Sequence, residues 1–431
     1  MYIPRELEKE LQKYLSVREI IAVTGARQCG KTTLILNLLK HLEGKKRIKS
    51  VSFDDVKVLS LFENDMDSFC ELYVQEYDLL FIDEVQYAKE GGKKLKYLFD
   101  RFPIKIIISG SSSSELSVQS LKYLVGRIFI FTLYPFSFKE FLLARNPRLV
   151  PLYEKAGYGK EITEELNGHV SEFILFGGYP RVVLAKSREE KITVLKNIFN
   201  TYLLREIKEV LGLREDFRLL KLIKSLSLQI GNLVNYNELS ALSEFSYSEV
   251  KRYLHILEKT SICSLLSPFQ SNKRTELIKN PKVYFYDLGF RNMVMDNFSV
   301  ERMDLGAMHE NLIFSELVKC QFAPKYWRTK SKAEVDFVLE KEGEVIPIEV
   351  KINLSGMNLT RSFQSFLERY HPVIGLITSS SFEDQRTIAG SHIHFLPHVK
   401  LLPFLNKHFG NPRLRRVSRK SKTARIMNNS T

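Results

Sequence analysis

The sequence predicts an α/β fold built around a parallel sheet. Apolar runs of strand length at 20–24, 79–82 and 104–108 are separated by apolar residues at helical spacing. Each run leads into glycine, carboxylate or hydroxyl residues, as expected where the carboxyl edge of a parallel sheet binds a ligand. The chain has 431 residues, more than one hydrophobic core usually organises, so we expect two to four domains.

The first apolar run leads directly into a phosphate-binding loop. Residues 25–33 read G-A-R-Q-C-G-K-T-T, which contains G-x-x-x-x-G-K-T between a strand and an apolar helix. The glycines let backbone N–H groups turn toward phosphates at a helix N-terminus. Lys31 is expected on the β- and γ-phosphates of ATP, and the Thr32 hydroxyl on Mg²⁺. The expected nucleotide contacts are Gly25, Ala26, Arg27, Gln28, Cys29, Gly30, Lys31, Thr32 and Thr33.

Polar residues that follow the next two runs complete this predicted site. Asp83 and Glu84 follow the run 79–82, where Asp83 suits Mg²⁺ coordination and Glu84 suits polarising the attacking water. Ser109 follows the run 104–108 and is a candidate sensor of the γ-phosphate, although a simple strand-ending turn fits equally well. Together with the loop, these residues predict an ATPase.

Arg127 is a candidate arginine finger. It stands after Gly126 and before a predicted strand at 128–133. A guanidinium stabilises the charge on a phosphoryl group in transfer, and this one could serve the ATP of a neighbouring subunit in a homo-oligomer. A surface arginine fits the sequence as well.

The order of these motifs resembles one known family. Besides residues 25–33, the chain contains L-F-I-D-E-V-Q at 80–86, S-G-S-S-S at 109–113, and V-G-R followed by L-Y-P-F-S-F-K-E-F at 133–141. F-G-G-Y-P follows at 176–180. The chain resembles the AAA+ P-loop ATPases of bacteria and archaea that carry a winged helix and a C-terminal nuclease-like domain of unknown function. The resemblance reaches about residue 405 and implies an architecture more than a pathway.

In similar proteins the region after the sheet is a helical lid over the nucleotide. Apolar residues at spacings of three and four support helices here, interrupted by glycines and a proline at 177–180. Arg181 and the pair Arg205-Glu206 are candidate lid contacts. The family commonly has aspartate where this chain has Glu206.

A winged helix-turn-helix is predicted next. Residues 236–242 and 247–259 have the pattern of two short helices, and Ser246 with Glu249 forms a capping box for the second. Strands are expected at 262–266 and 283–286, joined by a loop that contains Lys273, Arg274 and Lys279. The residues expected to face outward on the second helix are Ser248, Lys251, Arg252, His255 and Lys259. Such a module binds DNA or docks a protein partner, and both readings stay open.

The C-terminal region contains the acidic pattern of PD-(D/E)xK nucleases. Asp336 lies in a predicted strand at 334–339, and Glu349 and Lys351 lie at the end of a second one at 344–350. Glu310, on a helix predicted at 308–318, is expected to face the sheet. The carboxylates of Glu310, Asp336 and Glu349 would hold Mg²⁺, while Lys351 offsets charge in the transition state. Val335 replaces the usual proline, and similar domains keep the fold with or without cleavage.

The bulk composition is that of an ordinary globular protein, with 44% hydrophobic and 26% charged residues. Half of the net charge of +14 lies in residues 411–431, which hold seven Lys or Arg and no acidic residue. This tail fits a solvated terminus or a nucleic-acid contact. Four widely spaced cysteines and the lack of an apolar span of membrane length predict a cytoplasmic protein with no membrane partner.

Two functions follow from these patterns. The first is a Mg²⁺-dependent ATPase coupled to DNA binding or processing, with cleavage by the C-terminal domain left open. The second is an ATP-dependent switch whose winged helix recruits a protein and whose nuclease-like domain is inactive. The expected domains are the ATPase domain at 1–145, the lid at 146–230, the winged helix at 231–295, the nuclease-like domain at 296–410 and the basic tail at 411–431.

Overall fold

A computed structural model describes most of the chain. The described residues are 2–111, 121–201, 207–213, 216–270, 276, 279–341 and 343–410. The predicted basic tail and the pair Arg205-Glu206 lie outside these ranges, as do Lys273 and Arg274.

The N-terminal part contains the predicted parallel sheet. Its five strands are β1 (Ile20–Thr24), β2 (Ile48–Ser52), β3 (Leu79–Asp83), β4 (Lys105–Ser109) and β5 (Ile128–Thr132). They pair in the order β2-β3-β4-β1-β5, and every pair is parallel. Among the described residues, the α-helices that accompany them are α1 (Glu6–Tyr14), α2 (Lys31–Lys40), α3 (Val56–Asn64), α4 (Met66–Tyr73) and α5 (Gly91–Arg101).

Two hydrophobic cores explain why the central strands are apolar along their whole length. Ile21 and Val23 of β1 pack into one core with helices α1 and α2, whereas Ile20 and Ala22 pack into the other with α3, α4 and α5. Because both faces of the sheet are covered, the strands contain continuous apolar runs instead of alternating ones. In the three central strands, β1, β3 and β4, the polar residues are thereby confined to the ends.

Helices follow the sheet. They are α6 (Phe138–Arg145), α7 (Val150–Lys155), α8 (Lys160–Phe176), α9 (Pro180–Val183), α10 (Arg188–Ile198), α11 (Lys208–Leu211) and α12 (Asp216–Leu228). Helix α6 begins with a capping box in which Ser137 and Glu140 each bond the other's backbone N–H. Gly177 and Gly178 end α8, and the N–H of Gly178 donates to Asp287 at 2.7 Å.

Two helices and a strand pair come next, close to the predicted positions. Helix α13 spans Tyr236–Ser243 and α14 spans Tyr247–Lys259, with the predicted capping box of Ser246 and Glu249 at its start. Strands β6 (Cys263–Leu266) and β7 (Lys282–Phe285) pair antiparallel, and helix α15 (Leu288–Met295) follows. The second strand begins one residue earlier than predicted, which brings Lys282 into it.

The C-terminal part is a six-stranded mixed sheet, larger than the two strands predicted. The strands are β8 (Lys325–Arg328), β9 (Glu334–Lys341), β10 (Glu344–Val350), β11 (Ile374–Ser379), β12 (Asp384–Ile388) and β13 (Ser391–Pro397). They pair in the order β12-β13-β11-β10-β9-β8. The helices are α16 (Leu305–Lys319), α17 (Arg361–Tyr370) and α18 (His398–Phe409).

Helix α16 connects this sheet to the rest of the molecule. At its C-terminal end, Glu316 accepts a hydrogen bond from the N–H of Phe138 at 2.8 Å, and Lys319 donates to the carbonyl of Phe136 at 3.1 Å. In its middle, the Asn311 amide bonds both the N–H and the carbonyl of Phe285 in β7, each at 2.8 Å. The same helix therefore touches the segment before α6 and the strand pair. None of the helices in the described ranges is long and apolar enough to span a bilayer.

Candidate functional site

The predicted phosphate-binding loop joins the carboxyl end of β1 to the start of α2. Gly30 precedes the helix with a φ of 95°, and Gly25 follows the strand with a φ of 147°. A Cβ atom at Gly25 would lie 2.1 Å from the carbonyl oxygen of Leu133, so a larger residue does not fit there. The loop thus presents backbone N–H groups at a helix N-terminus, where the dipole favours anions.

Lys31 is buried at the start of α2, with 6% of its surface exposed. Its Nζ donates to the carbonyl oxygens of Gly25, at 3.1 Å, and Ala26, at 3.0 Å. The ammonium therefore rests on neutral acceptors within its own loop. An anion placed in the loop can replace these contacts without leaving a carboxylate unpaired.

Asp83 meets the hydroxyls that the sequence predicts beside it. The Thr32 hydroxyl donates to its Oδ2 at 2.7 Å, and the Ser109 hydroxyl donates to its Oδ1. The N–H of Glu84 also donates to Oδ1, at 3.0 Å. Hydroxyl and carboxylate oxygens are the ligands that Mg²⁺ takes, so Thr32 and Asp83 fit the predicted metal of an ATP site.

Glu84 follows Asp83 in a left-handed conformation with a φ of 52°. This turn separates its side chain from that of Asp83, and its carboxylate accepts a hydrogen bond from the Gln86 amide. Gln86 also accepts from the N–H of Ser111 at 3.3 Å. Gln86 therefore belongs to the site at this edge of the sheet, although it was not predicted as a site residue.

Arg5 is a second residue of this site that was not predicted from the sequence. Its guanidinium donates to the carbonyl oxygens of Cys29, at 2.8 Å, and Tyr134, at 2.6 Å, and pairs with Glu140 at 3.1 Å. Burial alone would raise the pKa of Glu140, but the Arg5 charge and hydrogen bond lower it overall. Arg5 thereby ties the phosphate-binding loop to the start of α6. Nothing in the sequence near residue 5 indicates this contact.

Three of the residues predicted to hold Mg²⁺, Glu310, Asp336 and Glu349, converge at a second place, and Glu334, which was not predicted, lies with them. These four carboxylates are here called the acidic cluster. Glu349 pairs with Lys351 at 2.7 Å and accepts from the Thr360 hydroxyl at 3.0 Å. Asp336 accepts from the N–H of Val350 at 2.7 Å. Asp336 and Glu349 therefore lie beside one another at the ends of adjacent strands, β9 and β10.

Lys282 of β7 also enters the acidic cluster, and the sequence analysis missed it. Its Nζ lies 3.1 Å from Glu310 and 2.5 Å from Glu334, and its side chain is 1% exposed. Burial alone would lower the pKa of Lys282, but the carboxylates of Glu310, Asp336 and Glu334 raise it overall. The sequence feature that could have indicated this role is a lysine at the start of an otherwise apolar strand.

The acidic cluster does not fit a Mg²⁺ centre as it stands. Over the described ranges, no three His, Cys, Asp or Glu side chains are placed so that they could hold a metal ion. Lys282 already pairs with Glu310 and Glu334, so two of the carboxylates have a cation beside them. Desolvation, followed by the nearby Glu310 charge, raises the pKa of Asp336 to about 8.

Three family models match successive parts of the chain. Residues 17–142 match an AAA domain. Residues 167–301 and 305–400 each match a domain of unknown function, DUF8612 and DUF4143. Residues 17–142 are therefore similar to AAA domains and are called the AAA domain below. Its parallel sheet, phosphate-binding loop and Asp83 are the features that the sequence predicts for such a domain.

Relatives of similar length are themselves uncharacterized. A protein of Haemophilus influenzae is 25% identical over 90% of this chain and 96% of its own length. One from Methanocaldococcus jannaschii is 25% identical over 84% of this chain and 80% of its own length. Among solved structures, a Walker-type ATPase of Pyrococcus abyssi has a TM-score of 0.41 and 15% identity, covering 68% of this chain and 96% of its own. AMPPCP-bound DnaA from Aquifex aeolicus has a TM-score of 0.28 and 16% identity, and the match covers 60% of this chain and 90% of its own.

Within the AAA domain, Arg127 lies at the edge opposite the phosphate-binding loop. Its carbonyl accepts from the N–H of Ile20, the first residue of β1, whereas the loop follows the last residue of that strand. Its guanidinium pairs with Asp100 at 2.9 Å, which lowers the pKa of that carboxyl. One chain does not bring Arg127 to its own site, so the arginine-finger prediction concerns a second copy.

The turn at 177–180 approaches the AAA domain at its loop. The side chain of Pro180 would lie 3.9 Å from a Cβ at Gly30. Arg181 beside it is exposed. This places the start of α9 next to the predicted nucleotide site.

Helix α14 presents the outward face that the sequence predicts. Val250, Leu254 and Leu257 are buried. The exposed residues are Ser248, Lys251, Arg252, His255 and Lys259. Lys251 stands over the rings of Tyr236 and Tyr247, at 5.4 and 4.7 Å from their centroids. Three cations and a histidine therefore share one solvent-facing surface.

Proposed function

We propose that this chain binds Mg-ATP at residues 25–33, hydrolyses it, and couples the cycle to DNA binding. The observation that carries the proposal is the meeting of Thr32, Asp83 and Ser109 beside the loop, with 2.7 Å between the Thr32 hydroxyl and Asp83. These side chains come from α2, β3 and β4, three separate elements of the AAA domain.

Each residue of the site has a role that its contacts support. Lys31 exchanges the Gly25 and Ala26 carbonyls for the β- and γ-phosphates. Thr32 and Asp83 would hold Mg²⁺, which neutralises charge on the phosphates when bound. Glu84 orients and polarises the attacking water, and the Gln86 amide holds its carboxylate in place. The Ser109 hydroxyl responds to changes at Asp83, because it donates a hydrogen bond to that carboxylate.

Phosphate release by full-length protein tests this assignment. Glu84→Gln should bind ATP yet turn it over at least on the order of a hundredfold more slowly, because it removes the catalytic carboxylate. Lys31→Ala should lose nucleotide binding. Glu90→Gln is a matched control, since Glu90 is exposed and has nearly the same backbone φ, 53°, as Glu84. Normal turnover by Glu84→Gln would remove Glu84 from the mechanism.

The region 231–295 is proposed to be a winged helix that contacts DNA through α14. Lys251, Arg252 and Lys259 are exposed there. The two carboxylates of the helix accept hydrogen bonds from backbone N–H groups, Glu249 from Ser246 and Glu258 from Leu265. Phosphate contacts release counterions, so the affinity for duplex DNA should fall steeply as salt increases. Lys251→Gln with Arg252→Gln should weaken binding and reduce the slope of log affinity against log salt by about two. Salt-insensitive or undetectable binding favours a protein partner.

The second candidate function is an ATP-dependent switch without nuclease activity. The observation that favours it is the poor fit of the acidic cluster to Mg²⁺, because Lys282 already pairs with two of its carboxylates. Incubation with duplex, single-stranded and branched DNA, with and without ATP, distinguishes the readings. Mg²⁺-dependent nicking that disappears in Asp336→Ala supports DNA processing, and intact substrates support the switch.

Arg127 enters this proposal only in an assembly. If a second copy supplies it, Arg127→Ala should lower turnover while leaving ATP affinity unchanged. Mixing Arg127→Ala with Glu84→Gln should then restore part of the activity, since each copy provides what the other lacks. If the mixture of Arg127→Ala and Glu84→Gln stays inactive, Arg127 is a surface arginine and not an arginine finger.

A further inference from the structure

The carboxylates predicted to hold Mg²⁺ already have a cation among them. Lys282 enters from β7, outside the C-terminal sheet, and its ammonium lies within ion-pair distance of Glu310 and Glu334. The Tyr326 ring, 5.9 Å from Nζ, adds a second favourable surface for the charge. A buried ammonium needs such partners because water cannot reach it.

Protein donors also engage the other predicted ligands. The Tyr284 hydroxyl donates to Glu310 at 2.5 Å, on the same oxygen that pairs with Lys282. The second Glu310 oxygen lies beside the turn at Gly231, where an added Cβ would stand 3.3 Å away. Both oxygens of Glu349 are bonded, one to Lys351 and the other to Thr360. The carboxylates are held by fixed partners.

The position of Lys282 is fixed by its backbone. Strand β7 pairs with β6 on one side, and Val283 exchanges hydrogen bonds with Gly231 and Asn232, at 3.0 and 3.3 Å. The Asn311 amide holds the backbone of Phe285 at the other end of the strand. Moving the strand would break these contacts, so the backbone of Lys282 stays beside the cluster, and its buried side chain pairs with Glu310 and Glu334.

A divalent cation at the same carboxylates would meet this ammonium a few ångströms away. Like charges repel strongly where water is excluded, and two of the carboxylates that would offset the repulsion are already paired with Lys282. We infer that Lys282 is the resident cation of the acidic cluster, and that the cluster is an ion-pair joint which fastens β7 to the C-terminal domain. The cluster is not a metal-dependent nuclease centre. This inference is independent of ATP hydrolysis.

Manganese binding by nucleotide-free, full-length protein tests the inference without changing Lys282. Mn²⁺ takes the ligands of Mg²⁺ and gives an electron paramagnetic resonance signal that decreases when the ion is bound. Any bound Mn²⁺ should disappear in Asp83→Asn, which lacks the carboxylate of the AAA domain, and should be unchanged in Asp336→Asn. Bound Mn²⁺ that disappears in Asp336→Asn would overturn the inference.

Thermal unfolding gives a second test, in which Lys282→Met removes the charge and keeps the length of the side chain. Buried carboxylates left without their cation should lower Tm by on the order of 10 °C. Adding Glu310→Gln should recover part of the loss, because it removes one of the unpaired charges. Lys325→Met is the matched control: Lys325 also pairs with two carboxylates, at 2.5 and 3.0 Å, but is 23% exposed.

The same melts reveal whether the cation can be exchanged. Millimolar Mn²⁺ should raise the Tm of Lys282→Met, whose carboxylates have lost their ammonium, by more than that of the wild type, in which Asp83 is the remaining site for the ion. An unchanged Tm in Lys282→Met, or a Tm of the wild type that rises with Mn²⁺ and no longer does so in Asp336→Asn, contradicts the joint. ATP turnover by the same preparations reports the proposed function separately.

Discussion

The phosphate-binding loop and the acidic cluster use the same side chains in opposite ways. Each contains a buried lysine and a carboxylate near the end of a β-strand. In the loop, Lys31 rests on carbonyl oxygens and Asp83 accepts from hydroxyls and an N–H, so both keep the capacity to bind a charged ligand. In the cluster, Lys282 is paired directly with Glu310 and Glu334.

The difference shows what a sequence motif leaves open. A metal or phosphate site needs charges whose partners can be exchanged, whereas a structural joint needs charges whose partners stay. The same residue types at the same spacing can form either a metal site or a structural joint. The element that packs against the motif decides which of the two forms, and at the acidic cluster that element is β7.

The largest expected effect comes from removing one carboxylate at each place. Asp83→Asn should lower ATP turnover at saturating ATP by on the order of 100-fold or more, because it removes a ligand predicted for Mg²⁺. Asp336→Asn should leave turnover and its Mg²⁺ dependence within about twofold, since none of the contacts described here joins the cluster to the loop. Steady-state rates across a Mg²⁺ titration measure both.

An equal loss in the two variants would break the comparison. It would mean that the acidic cluster contributes to ATP turnover through the contacts that α16 makes with residues 136–138. Melting temperatures recorded on the same samples exclude unfolding as the cause.

An intermediate effect is expected at Arg5, which holds the loop in place. Arg5→Met removes a charge-assisted hydrogen bond to the Cys29 carbonyl, so the Kd for ATP should increase about tenfold. Arg5→Lys keeps a positive charge beside Glu140 but cannot also bond both the Cys29 and the Tyr134 carbonyls. This variant should therefore retain more of the wild-type Tm than of the wild-type ATP affinity. Titration with a fluorescent ATP analogue measures the change.

Arg18 provides the control for this prediction. Its guanidinium also donates to a backbone carbonyl, that of Phe99 at 3.0 Å, but on the surface and away from the loop. Arg18→Met should leave ATP affinity unchanged. Equal losses in the two arginine variants would show that Arg5 has no special position.

The smallest expected effect concerns two histidines near the cluster. Burial lowers the pKa of His309 from 6.5 to about 4 and that of His398 well below 6.5, and their rings lie 4.9 Å apart. Both are therefore neutral in the folded protein, while the unfolded chain binds protons below pH 6.5. Their contribution to stability is present above pH 6.5 and is lost as the pH falls toward 4.

For His309 this loss amounts to about 2 kcal/mol between pH 7 and pH 5. His309→Gln should reduce the difference between the urea midpoints at these two pH values, whereas His392→Gln, on the surface, should not. Thr378 bonds His398 at 3.0 Å, and Glu316 lines the same small cavity as His398. The same pH dependence in His309→Gln and the wild type would contradict the prediction.

The sequence predicted the AAA domain well because its determinants are local. Strand, loop and helix follow one another at 20–40, so periodicity and glycine positions are enough to place Lys31 and Thr32. It also placed Asp83 and Ser109 correctly, since parallel strands end at a common edge. The capping box of α14 and its outward face were predictable for the same reason.

What the sequence could not supply was contact between distant segments. Arg5 reaches Cys29 and Tyr134 because α1 packs on α2 and the sheet, and no pattern near residue 5 encodes that packing. Four strands of the six-stranded sheet were not predicted. Strand β8 has only four residues and β12 is largely exposed, so neither has a clear apolar period. Strands β11 and β13 were missed although most of their residues are buried. Lys282 was missed because its partners lie more than 25 residues further along the chain.

The joint at Lys282 also sets where this protein can be divided. The two domains of unknown function meet between residues 301 and 305, yet the ion pairs of Lys282 and the amide of Asn311 cross that boundary. A fragment that ends near residue 300 keeps the ammonium and loses its carboxylates, and the complementary fragment keeps the carboxylates alone. Exchange of modules between related genes therefore has to move the two domains together, or replace both sides of the joint at once.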